Sequence, residues 1–300
     1  MAPIPSASPL PRLITYFQTH HDSDGNAISV LPLITQPGIS LTHLILAAIH
    51  INDDPAALTL NDHHPSHPRF QTLWAELRVL QASGIKVMGM LGGAAPGSYQ
   101  RLDGSAEQFE RYYTPVRDLI REHALDGLDL DNLSGFDYEA LEVMRGKDIA
   151  WYNTQFYCGW GDCSNPLMYN MMRYKGWPPE KLVIGLVTNP ENGNGFVPFE
   201  MLGGVLNVLG AAHGKQFGGV MGWEYFNSMP GGRERPWEWA KFMTGLLRGH
   251  SLEPERKEIE PERKEVKTKA SIEVDADSPD GAPPQLPKAF EYHSEGLEED

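Results

Sequence analysis

The segment DGLDLDNL, Asp126 to Leu133, places Asp129 and Asp131 two residues apart at the end of a strand-like run. Strand alternation sends both carboxylates to the same side. Two like charges on one inward face repel each other and lose solvation, so they need hydrogen-bond partners or a function. An ionised acceptor steadies a developing positive charge, which is the chemistry such a pair offers. A loop of solvated aspartates after a strand is the competing reading. Gln155 and Tyr157 in NTQFYC, and Trp223 in GGVMGWEYF, also close strand-like runs. For the two aromatics alone, core packing is the commoner fate. Histidine is abundant, at His20, His21, His50, His63, His64 and His67, but HHPSH follows no metal-site spacing and no metal site is expected. Cys158 and Cys163 in CGWGDC are too few for a disulfide framework and lack the partners of a zinc site, so two free thiols are expected. The Gly-rich turns at 92–97 and 193–195 match neither a phosphate-binding loop nor a dinucleotide fingerprint, and no cofactor is expected.

The elements that must position these residues follow a rhythm of short apolar run, Gly-, Pro- or Asp-rich loop, then longer helical pattern. Seven strand-like runs are visible: Leu13 to Phe17, Leu41 to Ile49, Ile85 to Leu91, Leu125 to Leu130, Ile149 to Tyr157, Leu182 to Val187 and Gly218 to Phe226. Arg69 to Ser83 and Ser105 to His123 read as helices, the second opened by a capping Ser. Near-continuous apolar strands alternating with helices predict an α/β protein with a TIM-type (βα)8 barrel. Successive strand starts lie 28, 44, 40, 24, 33 and 36 residues apart. The fourth interval is short: after Asp131 there is room for a loop and one short helix, near Tyr138 to Met144. One βα unit of roughly 40 to 50 residues is therefore missing from the eight.

Lys and Arg number 25 against 40 Asp and Glu, a net charge of −15, which repels phosphate backbones and anionic membranes. No nucleic-acid or membrane partner is expected. No apolar run approaches the roughly 20 residues of a membrane span, and the first residues lack the pattern of a secretory signal, so the expected location is cytoplasmic. Residues 253–300 hold 15 acidic and 7 basic side chains and a Pro-rich stretch, too little apolar material to fold alone. The predicted organisation is an N-terminal arm over 1–11, a barrel domain over 12–252 and a disordered acidic tail over 253–300.

At these motifs the chain resembles glycoside hydrolase family 18, the chitinase and endo-β-N-acetylglucosaminidase family, in its class III-like fungal or plant branch. The family's fourth strand carries DGxDxDxE; Asp126, Gly127, Asp129 and Asp131 match, and the final Glu position is Leu133. IKVMGMLGG, ending at Gly92 and Gly93, is similar to the third-strand SxGG element with Met90 in place of Ser. NTQFYC resembles the sixth strand and GGVMGWEYF the eighth, with Trp223 at the pocket-floor tryptophan. Four motifs in barrel order are jointly specific where each alone is weak.

The resemblance implies a substrate-assisted mechanism on β-1,4-linked N-acetylglucosamine, in chitin or in the N-glycan core. The family's Glu protonates the leaving oxygen while the substrate's own acetamide carbonyl attacks the anomeric carbon. By resemblance Asp131 holds the acetamide N–H, Asp129 supports Asp131 from below, Tyr157 donates to the acetamide oxygen and Gln155 lines the pocket. Trp223 stacks under the sugar, and Tyr16, Gly92 and Gly93 join the substrate-binding set. Leu133 cannot donate a proton, and loss of general-acid catalysis typically costs about 10²- to 10⁴-fold. Asp137 and Glu139 fall in a later loop and helix and are not expected to replace it. One deletion after Asp131 explains both the leucine and the short interval. The chain is thus expected to be a weak or inactive hydrolase; a glycan-binding, lectin-like protein is the alternative, and an opened barrel that aggregates is a third outcome.

Overall fold

The computed structural model describes residues 10–93, 97–131 and 136–249. The expected tail, nearly all of the N-terminal arm and Leu133 lie outside the described residues. In chain order the elements are β1 (Arg12–Phe17), α1 (Pro32–Thr35), β2 (His43–His50), the two-residue β3 (Thr59–Leu60), α2 (Gln71–Ala82) and β4 (Lys86–Gly92). There follow α3 (Ser98–Leu102), α4 (Ala106–Glu122), β5 (Gly127–Asp131), α5 (Tyr138–Arg145), β6 (Tyr152–Gln155), α6 (Leu167–Tyr174), β7 (Leu182–Val187), α7 (Phe199–His213), β8 (Gly219–Trp223) and α8 (Trp237–Arg248).

All seven expected strands form, and they lie parallel in the order β5-β4-β2-β1-β8-β7-β6, with β3 antiparallel on β2. This is the TIM-type arrangement. Its alternation is explicit in β1, where Ile14 and Tyr16 face the interior cluster and Leu13 and Phe17 face the layer of helices. The interior cluster joins Ile14, Ile45, Met90, Val183 and Met221 from five strands, so the sheet curls around it. On the outside, α2 contributes Leu73, Leu77 and Leu80 at helical spacing. The Ser105 hydroxyl accepts from the Gln108 N–H and caps α4, as its sequence suggested.

Among the described residues the sheet does not close by backbone pairing. In the same residues β5 pairs only with β4, and β6 only with β7. The two ends of the sheet are thus the strands on either side of the short interval. Their burial reflects it: β1 and β7 are buried throughout, whereas no residue of β5 or β6 is, and Leu130 on the outer face of β5 is 55% exposed. Read from its sequence, β6 should span Ile149 to Tyr157; the strand is shorter, its ladder pairing Tyr152 to Gln155 with Leu182 to Gly185 of β7.

Candidate functional site

The interior of the barrel opens into a cavity of about 1680 Å³ lined by Tyr16, Gly93, Asp129, Asp131, Gln155, Tyr157 and Trp223 among others. Seven of the eight residues expected to bind or act on substrate therefore share one wall system. Gly92 is off that wall. Its φ of +104° is in the region that favours glycine, and a Cβ there would come within 2.6 Å of the Asp131 carbonyl oxygen and 2.7 Å of the Tyr99 hydroxyl. Gly92 is the cross-strand partner of Asp131, so its missing side chain lets the end of β4 approach the end of β5. The Tyr99 hydroxyl lies 2.6 Å from the Leu91 carbonyl and 2.8 Å from that of Asp131, tying the two strand ends together.

Asp126, the first acid of the motif, has a different task. Its carboxylate accepts from the Val87 N–H at 2.8 Å and from Lys86 Nζ at 2.9 Å, pinning the start of β5 to β4. Asp129 is held from two sides. The Tyr16 O–H donates to its Oδ2 at 2.6 Å and Asn153 Nδ2 donates to its Oδ1 at 3.0 Å. Asn153 Nδ2 also reaches the Tyr16 oxygen at 3.0 Å, and the Trp151 indole N–H donates to Asn153 Oδ1 at 2.8 Å, which fixes the amide's orientation. The Arg12 guanidinium lies 4.7 Å above the Trp151 ring from below the site. Gln155 Nε2 approaches Asp131 Oδ1 at 3.4 Å. Trp223 packs 5.3 Å from the Tyr16 ring, their planes tilted by 59°.

Burial, helped by the neighbouring charge of Asp131, pushes the Asp129 carboxyl up to about 6, against the opposing pull of the Tyr16 and Asn153 hydrogen bonds. Burial and then the carboxylates push the Tyr157 and Tyr16 phenols up, so both remain proton-bearing donors at ordinary pH. The arrangement offers carboxylate acceptors, the Tyr157 phenol as a donor and an aromatic plane in one cavity.

Asn153, Trp151 and Tyr99 were missed by the sequence reading. Asn153 had a signal, since it precedes Gln155 by two residues and alternation puts both on one face. Tyr99 had none, because it enters from α3. Of the acids that follow Leu133 in the sequence, Asp137 caps α5 by accepting from the Ala140 N–H at 2.8 Å, and Glu139 faces Lys175 at 3.6 Å. Both cysteines are free thiols, Cys158 exposed and Cys163 buried. Among the described residues no group of three or more His, Cys, Asp or Glu could hold a metal ion, and no helix is long and apolar enough to cross a membrane.

No protein-family model matches the sequence, and no curated protein does. Solved structures do. The chain is 43% identical to a fungal endo-β-N-acetylglucosaminidase from glycosyl hydrolase family 18, with a TM-score of 0.77 over 80% of this chain and 99% of that one. It is 47% identical to the chitinase ChiC from Aspergillus fumigatus, with a TM-score of 0.70 over 78% of this chain and 98% of that one. Human YKL-39, a pseudo-chitinase that retains chitooligosaccharide binding, shares the fold alone, at 13% identity and a TM-score of 0.55 over 79% of this chain and 99% of that one. A likeness of 43% identity that spans 80% of this chain and nearly the whole of a family 18 structure shows the family: this chain belongs to glycoside hydrolase family 18.

Proposed function

We propose that the cavity binds an oligosaccharide of β-1,4-linked N-acetylglucosamine, from chitin or an N-glycan core, and that this chain cleaves it weakly or not at all. The observation that carries the reading is the inward pair Asp129 and Asp131 in one cavity with Tyr157 and Trp223. An acetamide presents one N–H and one carbonyl oxygen. Asp131 offers an acceptor to the first and the protonated Tyr157 a donor to the second, while Asp129 supports Asp131 from below and the Trp223 plane suits the apolar face of a pyranose. Those groups hold the acetamide where its oxygen can attack the anomeric carbon, and the carboxylates steady the positive charge that develops.

The attack completes only if the leaving oxygen receives a proton. Position 133 holds leucine, which has none to give, and Asp137 and Glu139 are spent on a helix cap and an ion pair. Binding therefore outlives catalysis in this reading, which makes the lectin-like alternative its limiting case. Calorimetry with N-acetylglucosamine tetramer, with product analysis of the same mixture, tests it. Saturable binding without product is the expected result. Turnover comparable to an intact family member and abolished by Tyr157→Phe would show an active hydrolase, and the absence of binding would remove the glycan reading altogether.

A further inference from the structure

The strands at the open ends of the sheet, β5 and β6, share no backbone ladder, yet their side chains meet. Asp129 of β5 bonds Asn153 of β6, and two residues further along each strand Asp131 faces Gln155. Both contacts lie on the inward face and advance in step, as a parallel register would. We propose that these two amide–carboxylate bridges close the barrel where the ladder is missing, so that the carboxylates of the site are also the clasp of the fold.

Three features support the assignment. A buried carboxylate is expensive unless it is hydrogen-bonded, so Asp129 strongly favours the arrangement that keeps its donors close. The donors come from the far side of the opening, Asn153 of β6, and from across the barrel, Tyr16 of β1, whose oxygen also accepts from Asn153. The amide is held in one orientation by the Trp151 indole, so it presents a donor to Asp129 rather than its oxygen. The clasp is unequal: the lower bridge spans 3.0 Å within a network, while the upper one is long at 3.4 Å. A ligand would displace the upper one. On the reading of the cavity as an N-acetylglucosamine site, on which this last step rests, an acetamide held by Asp131 of β5 and by Tyr157, just past β6, becomes the second bridge itself.

Hydrogen exchange followed by mass spectrometry on the full chain tests the proposal. In Asn153→Leu without ligand, exchange in residues 127–131 and 152–155 should rise together by about tenfold or more, while 12–17 and 219–223 stay unchanged. The double variant Asp129→Asn/Asn153→Asp, which keeps an amide facing a carboxylate, should restore the protection of both ends. Unchanged exchange in 127–131, or a double variant as unprotected as Asn153→Leu, overturns the clasp. If Asn153→Leu does not fold, a folded and protected double variant supports it, and an unprotected one overturns it. Saturating N-acetylglucosamine tetramer should slow exchange at both ends of the wild-type sheet. Tetramer that binds without slowing 127–131 overturns the coupling to ligand. Tetramer that does not bind at all overturns the glycan reading and leaves the ligand-free result to decide the clasp.

Discussion

Asp129 keeps an ionisable carboxyl inside the barrel, and its proton affinity makes a stability prediction. Its folded value of about 6 lies above the ordinary 3.8, so between those pH values the folded chain holds a proton that the unfolded chain has released. The contribution of Asp129 to stability then falls as pH rises from about 4 to about 6, against the opposite contribution of His20 and His43, which burial lowers to about 4. The difference corresponds to about 3 kcal/mol. Asp129→Asn cannot ionise but gives up one acceptor, so in urea unfolding it should lose the wild type's Asp129-dependent change between pH 4 and 6 while losing one of the hydrogen bonds from Tyr16 and Asn153. Residue 133 carries the second prediction at this scale. Leu133→Glu supplies a proton donor and should raise turnover of N-acetylglucosamine oligomers by about 10²- to 10⁴-fold. An unchanged rate would show that the deficit does not rest on this one side chain.

Elements position the site through their ends. The left-handed conformation at Gly92 lets β4 lie against β5 at Asp131, and the Tyr99 hydroxyl from α3 ties both strand ends. Gly92→Ala combines positive-φ strain with a side chain forced against backbone, so a loss of about 2 to 4 kcal/mol is expected in denaturant unfolding, with weaker sugar binding because Asp131 moves. Tyr99→Phe removes only the hydroxyl and should cost about 1 to 2 kcal/mol. A Tyr99→Phe loss as large as that of Gly92→Ala would show that the aromatic ring's packing changes too.

At the scale of the whole molecule the opening between β5 and β6 dominates. The elements beside it carry exposed apolar side chains: Leu130 on β5, Val143 and Met144 on α5, and Leu167, Met171 and Tyr174 on α6, with Val143 87% and Tyr174 95% exposed. Open strand edges and exposed apolar side chains both favour association. Sedimentation of the wild type should show concentration-dependent self-association, and Val143→Lys with Tyr174→Lys should reduce it while leaving the thermal midpoint within a degree or two, since neither side chain is buried. Undiminished association in the double variant would move the contact to the strand edges.

The number of the strands was legible because each is a local run of apolar residues bounded by turn formers and alternating with helical patterns. The alternation that sets Asp129 and Asp131 on one face is equally local, and so is the short interval after Asp131. The carboxylates' partners were not legible, because Tyr16 lies 113 residues before Asp129 and reaches it only when the sheet curls. Nor could apolar pattern reveal that β5 and β6 would lack a neighbour, since a strand's composition records the faces it buries and not the edge it leaves unpaired. Sequence alone determined which side chains face the interior; the tertiary structure decided which of them meet, because hydrogen-bond partners are chosen by three-dimensional proximity.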